Sequence, residues 1–134
     1  MKFKPLPTGF IISAQPVLAS RPPSGSCWVH EIKHDGYRMI VRREGSAVRV
    51  YSRNASDWTA RLAAIAATAE QIKAKSFTID GEAVVLGPDG LSLFEELSHR
   101  EGARTAILYA FDLIEPDGED MRNRRDTERW HPVQ

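Results

Sequence analysis

The residues best suited to chemistry lie in one short run, Glu31-Ile32-Lys33-His34-Asp35-Gly36-Tyr37-Arg38, which contains the pattern Lys-x-Asp-Gly-x-Arg. A lysine at a strand end is held by a rigid frame and can act as a nucleophile once it is neutral. Gly36 allows a tight turn and a close approach of backbone to backbone. Arg38 supplies a fixed cation. A free lysine has a pKa near ~10.4, so at neutral pH only about one in a thousand is the neutral amine, a cost of about 4 kcal/mol. A neighbouring cation such as Arg38 reduces that cost, because it disfavours the charged lysine. The alternative reading is a surface Lys and Arg flanking an Asp-Gly turn.

Three further segments carry candidate groups: Tyr51-Ser52-Arg53-Asn54, Thr78-Ile79-Asp80-Gly81-Glu82, and Leu108-Tyr109-Ala110-Phe111-Asp112-Leu113. Glu82 shares a strand face with Val84 and Leu86. A carboxylate on such a half-apolar surface is costly unless a partner or ligand satisfies it. Phe111 shares a face with Tyr109 and Ile107, where ordinary core packing is the alternative.

The elements that must position these residues follow from periodicity. Trp28 to Lys33 reads as a short strand. From Gly36, Tyr37, Met39 and Val41 alternate with Arg38, Ile40 and Arg42, and a turn at Glu44-Gly45-Ser46 leads into a second alternating run, which makes a β-hairpin. Asp57 or Ser56 can cap a following helix, whose stripe is Trp58, Leu62, Ile65, Ala69 and Ile72. Phe77 to Leu86 is the next strand, Leu91 to His99 one short helix, and Ile107 to Ile114 the last strand. The fold class is therefore α+β, an antiparallel β-sheet with packed helices.

Residues 1–26 are rich in Pro, Ser and Gly and read as an extended N-terminal arm. Residues 27–118 form the domain. The tail, 119–134, is dense in Arg and Asp and reads as poorly ordered. The 134 residues suit one domain; 42% are hydrophobic and 27% charged, which excludes wholesale disorder. Net charge is zero, so contact with nucleic acid depends on local patterning rather than on a basic excess. The single cysteine, Cys27, excludes an internal disulfide, and the four histidines lack zinc spacing. With no segment long enough to span a membrane, a cytoplasmic protein without membrane partners is the expectation.

The ordered set Lys33-x-Asp-Gly-x-Arg38, Ser-Arg53-Asn, Asp-Gly-Glu82 and Tyr-x-Phe111-Asp-Leu resembles the adenylation (nucleotidyltransferase) domain of ATP-dependent DNA ligases, in particular the bacterial non-homologous end-joining type. The resemblance implies part of the fold shared by DNA ligases and messenger-RNA capping enzymes. RNA ligases and capping enzymes share the first motif, but the Ser-Arg-Asn-x-x-Asp-Trp and Asp-Gly-Glu segments fit DNA ligases better. It further implies that Lys33 attacks the α-phosphate of ATP, forms lysyl-AMP, and passes AMP to the 5′-phosphate of nicked or broken double-stranded DNA. Glu31 would frame the adenine, Arg38 and Arg53 would contact ribose and phosphates, and Glu82 would hold the ribose 2′-hydroxyl and position metal. Phe111 would stack on the adenine, and Mg2+ would neutralise the triphosphate.

Ala55 stands where the family often has glycine. The family's later glutamate-glycine segment, its pair of α-phosphate lysines and its OB domain do not occur in these residues, and after about Asn123 the resemblance fades. The chain accordingly reads as a truncated ligase, with a second chain left open as the source of the missing motifs. The competing reading is a catalytically inactive nucleotide- or partner-binding remnant.

Overall fold

The computed structural model describes residues 9–14, 17–28 and 35–124. The expected strand over 28–33 lies, apart from Trp28, outside them. The order of elements is β1 (Tyr37–Glu44), β2 (Ala47–Ser52), α1 (Ala63–Glu70), β3 (Ser76–Val84), a 3-10 turn (Phe94–Ser98), α2 (Arg100–Ala103) and β4 (Ile107–Pro116). The strands form one antiparallel sheet in the order β2-β1-β3-β4. Among the described residues no helix is long and apolar enough to cross a membrane.

Register assigns each side chain to a face, since alternate residues of a strand point opposite ways. Met39 and Val41 of β1 meet Val50 of β2 and Ile79 and Ala83 of β3 on the first face. Leu62, Ile65, Ala66 and Ala69 of the helical segment close over them as the core. Arg38, Ile40 and Arg42 fall on the second face, beside Asp80 and Glu82 of β3. Ile40 is 1% exposed although it lies among arginines. Residues 9–14 lie over this face: Phe10 packs edge-on against Tyr51, the residue opposite Ile40, with ring centroids 5.7 Å apart.

The helix differs from the sequence expectation. Asp57 and Ser56 do not cap it; α1 begins at Ala63, and its cap residue, Leu62, makes no side-chain hydrogen bond. Asp57 instead bridges to Tyr51 as an extended residue and its Oδ1 accepts the Thr59 amide at 2.9 Å. These bonds hold the chain extended until residue 58 and delay the helix. Trp58 thus precedes the helix and Ile72 follows it, 37% exposed.

The expected single helix over Leu91–His99 is also divided. Ser92 bridges to Leu86, which likewise ends β3 proper at Val84. The 3-10 turn stops at His99, whose backbone is extended, and α2 starts afresh at Arg100. β4 runs to Pro116, two residues past the expected end. Residues 119–124 begin the tail. Met121 there is 1% exposed, and its amide donates to the Ile114 carbonyl at 2.8 Å.

At eight residues α1 is too short to be stable by itself, and its last carbonyls need partners. Arg43 reaches across from β1 to bind the last of them, on Glu70, and two carbonyls of the segment that follows. Its Nη1 donates to the Ile72 carbonyl at 2.6 Å and to Ala74 at 3.2 Å, and its Nη2 donates to Glu70 at 2.5 Å. The same guanidinium lies 5.7 Å from the Phe77 ring centroid. A cation at a helix C-terminus is also favoured by the helix dipole. Arg43→Met keeps the stem and removes the donors, so urea unfolding should show a loss of about 2–3 kcal/mol. An unchanged midpoint would remove Arg43 as the anchor of α1.

Candidate functional site

The motif residues enter the sheet at the start of β1, and their path is set by backbone contact. A Cβ placed on Gly36 would lie 2.0 Å from the Ala83 carbonyl oxygen and 2.8 Å from Val84 Cγ1. Glycine is therefore required at this position for the chain to pass close against β3. Gly81 meets the same constraint on the other side of β3, where a Cβ would sit 2.7 Å from the Tyr109 carbonyl oxygen. The glycines of Asp-Gly-x-Arg and Asp-Gly-Glu thus let three strands close up around the site. Just upstream, the Ser92 hydroxyl donates to the Asp35 carbonyl.

Arg38 is the hub of the second face. Its Nε donates to Asp80 Oδ1 at 3.0 Å and its Nη2 to Asp80 Oδ2 at 2.6 Å, the paired geometry that makes guanidinium–carboxylate contacts strong and directional. Its remaining nitrogen, Nη1, donates to the Ala14 carbonyl at 2.5 Å. Its Cζ lies 5.2 Å from the centroid of the Phe111 ring. Glu82 is its direct cross-strand partner in the register, with Tyr109 opposite Glu82 on the far side.

Phe111 owes its place to an irregularity. Asp80 pairs with Asp112 and Gly81 with Ala110, which leaves Phe111 as an extra residue on β4. Such a bulge re-aims a side chain, and bulges are enriched beside active sites. Here it brings the ring to Arg38.

The electrostatics follow from burial. Asp80 is 2% exposed, and loss of solvent lifts its carboxyl above the usual aspartate range despite the Arg38 hydrogen bonds that pull the other way; nearby Asp112 lifts it further. Arg38 moves upward from its ordinary value, first through its hydrogen bond to Asp80, with Glu82 and Asp112 adding in the same direction. The guanidinium is thus held as a permanent cation among three carboxylates.

The structure brings Arg38, Glu82 and Phe111 together. Arg53 is exposed in the turn after β2; the pairing of Met39 with Ser52 puts it at the same end of the sheet as Arg38. Glu31 and Lys33 lie outside the described residues. Among the described residues no group of three or more His, Cys, Asp or Glu side chains could hold a metal ion. Two participants were missed from sequence: Asp80, which was read only as a member of the Asp-Gly-Glu segment, and the arm at Ala14. The signal available for Asp80 was its alternation with Glu82, which puts both on the face of Arg38.

Behind the motif, Tyr37 meets Trp58 and Phe94 edge-on, with centroids 5.3 and 5.1 Å away. Arg61 lies over Trp58 at 4.5 Å and donates to the Leu97 and Ser98 carbonyls. This cluster ties the 3-10 segment to the strand that carries the motif. A cavity of about 440 Å³ opens elsewhere, between α1 and the β3–β4 edge, lined by Ile65, Ala69, Ile79 and Leu108. It holds none of the expected site residues.

The profile of the family described as "ATP dependent DNA ligase domain" matches residues 16–132. The chain belongs to this family. It is 39% identical over 109 residues to the multifunctional non-homologous end joining protein LigD of Pseudomonas aeruginosa, covering 79% of this chain and 13% of that protein. It is also 39% identical, over 124 residues, to the bifunctional LigD of Bacillus subtilis, covering 80% of this chain and 20% of the relative. A solved mycobacterial DNA ligase D complexed with ATP and MES superposes with a TM-score of 0.66 at 35% identity, over 74% of this chain and 33% of that one. The chain thus spans a minor part of its relatives: 13% and 20% of these two LigD proteins. The fold expectation holds, an α+β antiparallel sheet of the ligase nucleotidyltransferase type.

Gly36→Ala tests the site's construction. It should lower stability by at least about 2 kcal/mol, because the obstructing atom is a backbone carbonyl that cannot rotate away. A variant as stable as the parent would mean that β1 and β3 do not approach this closely.

Proposed function

We propose that this chain supplies the nucleotide-binding part of an ATP-dependent DNA ligase and that Lys33 is its nucleophile. The reading is supported above all by the convergence of Arg38, Glu82 and Phe111 on one sheet face directly downstream of Lys33. Family membership and the ATP-bound mycobacterial relative agree with it.

In this mechanism the neutral Lys33 amine attacks the α-phosphorus of ATP. A phosphorus–nitrogen bond forms, the bond to the pyrophosphate oxygen breaks, and the amine loses a proton. Phe111 stacks on the adenine, with Glu31 framing its edge. Glu82 accepts a hydrogen bond from the ribose 2′-hydroxyl. Arg38 and Arg53 stabilise charge on the phosphates, the kind of fixed electrostatic contribution that dominates many transfer reactions. The lysyl-AMP then passes its AMP to the 5′-phosphate of nicked or broken double-stranded DNA, and the 3′-hydroxyl displaces it.

Mg2+ belongs to this reading as the ion accompanying the triphosphate. Mg2+ on a triphosphate takes one or two carboxylates beside the phosphate oxygens, and Glu82 would be the carboxylate offered to it; no step is routed through it. Non-homologous end joining is the setting that the names of the LigD relatives suggest, and a cytoplasmic location belongs to the same proposal.

The matched 74% of the chain covers 33% of the solved mycobacterial ligase. Transfer to Lys33 and sealing of DNA are therefore separable. Incubated with ATP and magnesium, the purified chain should gain one AMP by intact mass, mapped to Lys33 and lost in Lys33→Ala. On its own it should seal a nicked duplex far more slowly than a whole ligase. Removal of two transition-state contacts worth about 3–4 kcal/mol each slows a step by roughly four to six powers of ten. AMP that persists in Lys33→Ala would overturn the assignment, and absence of AMP from the parent would favour an inactive remnant.

A further inference from the structure

The arm is fastened to the site at two points. Phe10 packs against Tyr51 of β2, and the Ala14 carbonyl accepts from Arg38 of β1. Between them Ser13 is 4% exposed, although most of the described arm is exposed. Near its start Gly9 adopts φ +70 and lies so close to the Arg42 guanidinium that a Cβ would be 2.4 Å from Nη2. Residues 9–14 therefore cross the second face from the Arg42 end of β1 to the Arg38 end.

The contact at Ala14 uses a particular nitrogen. Nε and Nη2 of Arg38 are committed to Asp80, and Nη1 is the nitrogen that faces the arm. With Nε and one Nη2 hydrogen committed to Asp80, a phosphate reaches Arg38 without breaking the buried ion pair at the open end of the guanidinium, formed by Nη1 and the second Nη2 hydrogen, where the Ala14 carbonyl now sits on Nη1. A charged phosphate oxygen accepts from a guanidinium more strongly than a neutral peptide carbonyl does.

We propose that residues 9–14 are a strap latched by Arg38, and that a nucleotide phosphate competes with the Ala14 carbonyl for Nη1 and so releases the strap. The latch stands on the structure alone. The competition rests on the nucleotide reading given above. The strap would keep the second face covered while the site is empty and open it when the nucleotide arrives.

Ser13 provides a reporter of opening, because its side chain is buried only while the strap is closed. Ser13→Cys in a Cys27→Ser background is reacted with a maleimide, and the labelling rate reads the open fraction. Val50→Cys, in the same background, reports on the core, where Val50 is fully buried. In the absence of nucleotide, adding Arg38→Gln should raise labelling at position 13 about tenfold. Phe10→Ala should also raise it, by freeing the other end. Neither change should alter labelling at position 50. Saturating ATP without magnesium should raise labelling at position 13 in the parent and leave Arg38→Gln unchanged.

A position-13 rate that is unaffected by both Arg38→Gln and Phe10→Ala overturns the latch. A rate that ATP leaves unchanged or lowers, with ATP binding shown by calorimetry, overturns the competition. If calorimetry shows no ATP binding, the nucleotide reading fails and the competition falls with it, while the magnesium- and ATP-free rates still decide the latch. Faster labelling at position 50 as well would identify general loosening and count against the latch.

Discussion

The site depends on one buried ion pair. Asp80 is almost fully removed from water, and a carboxylate in that position is costly unless it is paired and hydrogen-bonded. Arg38 supplies both requirements through two parallel hydrogen bonds. In return the guanidinium is fixed in orientation, which a solvent-exposed arginine is not. Everything else on the second face is arranged around that fixed plane: the Phe111 ring against it, the Ala14 carbonyl at its free nitrogen, and Glu82 opposite it in the register.

The backbone accommodates the pair by local irregularity. Gly36 and Gly81 remove Cβ atoms that would otherwise strike neighbouring carbonyls. The bulge at Phe111 turns one more side chain toward Arg38 than a regular β4 would. Ala55 illustrates the opposite case. It adopts φ +60 in the turn that follows Arg53, where a residue with a Cβ incurs about 1–2 kcal/mol of strain. This accounts for the glycine that the family often places there. The Ala55 methyl is buried, which returns a part of that cost, up to about 0.8 kcal/mol. Its amide donates to the Ser52 carbonyl at 2.8 Å and keeps the turn closed.

Much of this could be read from the sequence where alternation is strict. β1 and β2 follow from the period-two pattern after Gly36, and the first-face residues Met39, Val41 and Val50 are indeed the core. Ile40 was harder, since it lies on the face that the arm crosses, and no local pattern shows a distant segment crossing a face. The start of α1 was misplaced because Asp57 uses its side chain on the turn and its backbone on Tyr51. The Leu91–His99 region was misread because tertiary contacts break it: Ser92 pairs with Leu86, and Gly102 lets α2 pack close on the Glu96 carbonyl. Arg38, Glu82 and Phe111 were legible as motif members. Their meeting point was not, because the bulge and the Asp80 partnership arise only when β3 and β4 pair.

The central claim is that Asp80 acts by holding Arg38, so that the two form a single unit in nucleotide binding. A double-mutant cycle on ATP affinity with Arg38→Gln, Asp80→Asn and the pair tests it directly. The account predicts that each single change weakens binding nearly as much as both together, with a coupling of about 1.5 kcal/mol or more, roughly tenfold in Kd. Losses that add to within about 0.5 kcal/mol, or an Asp80→Asn variant that binds ATP as the parent does, would contradict it.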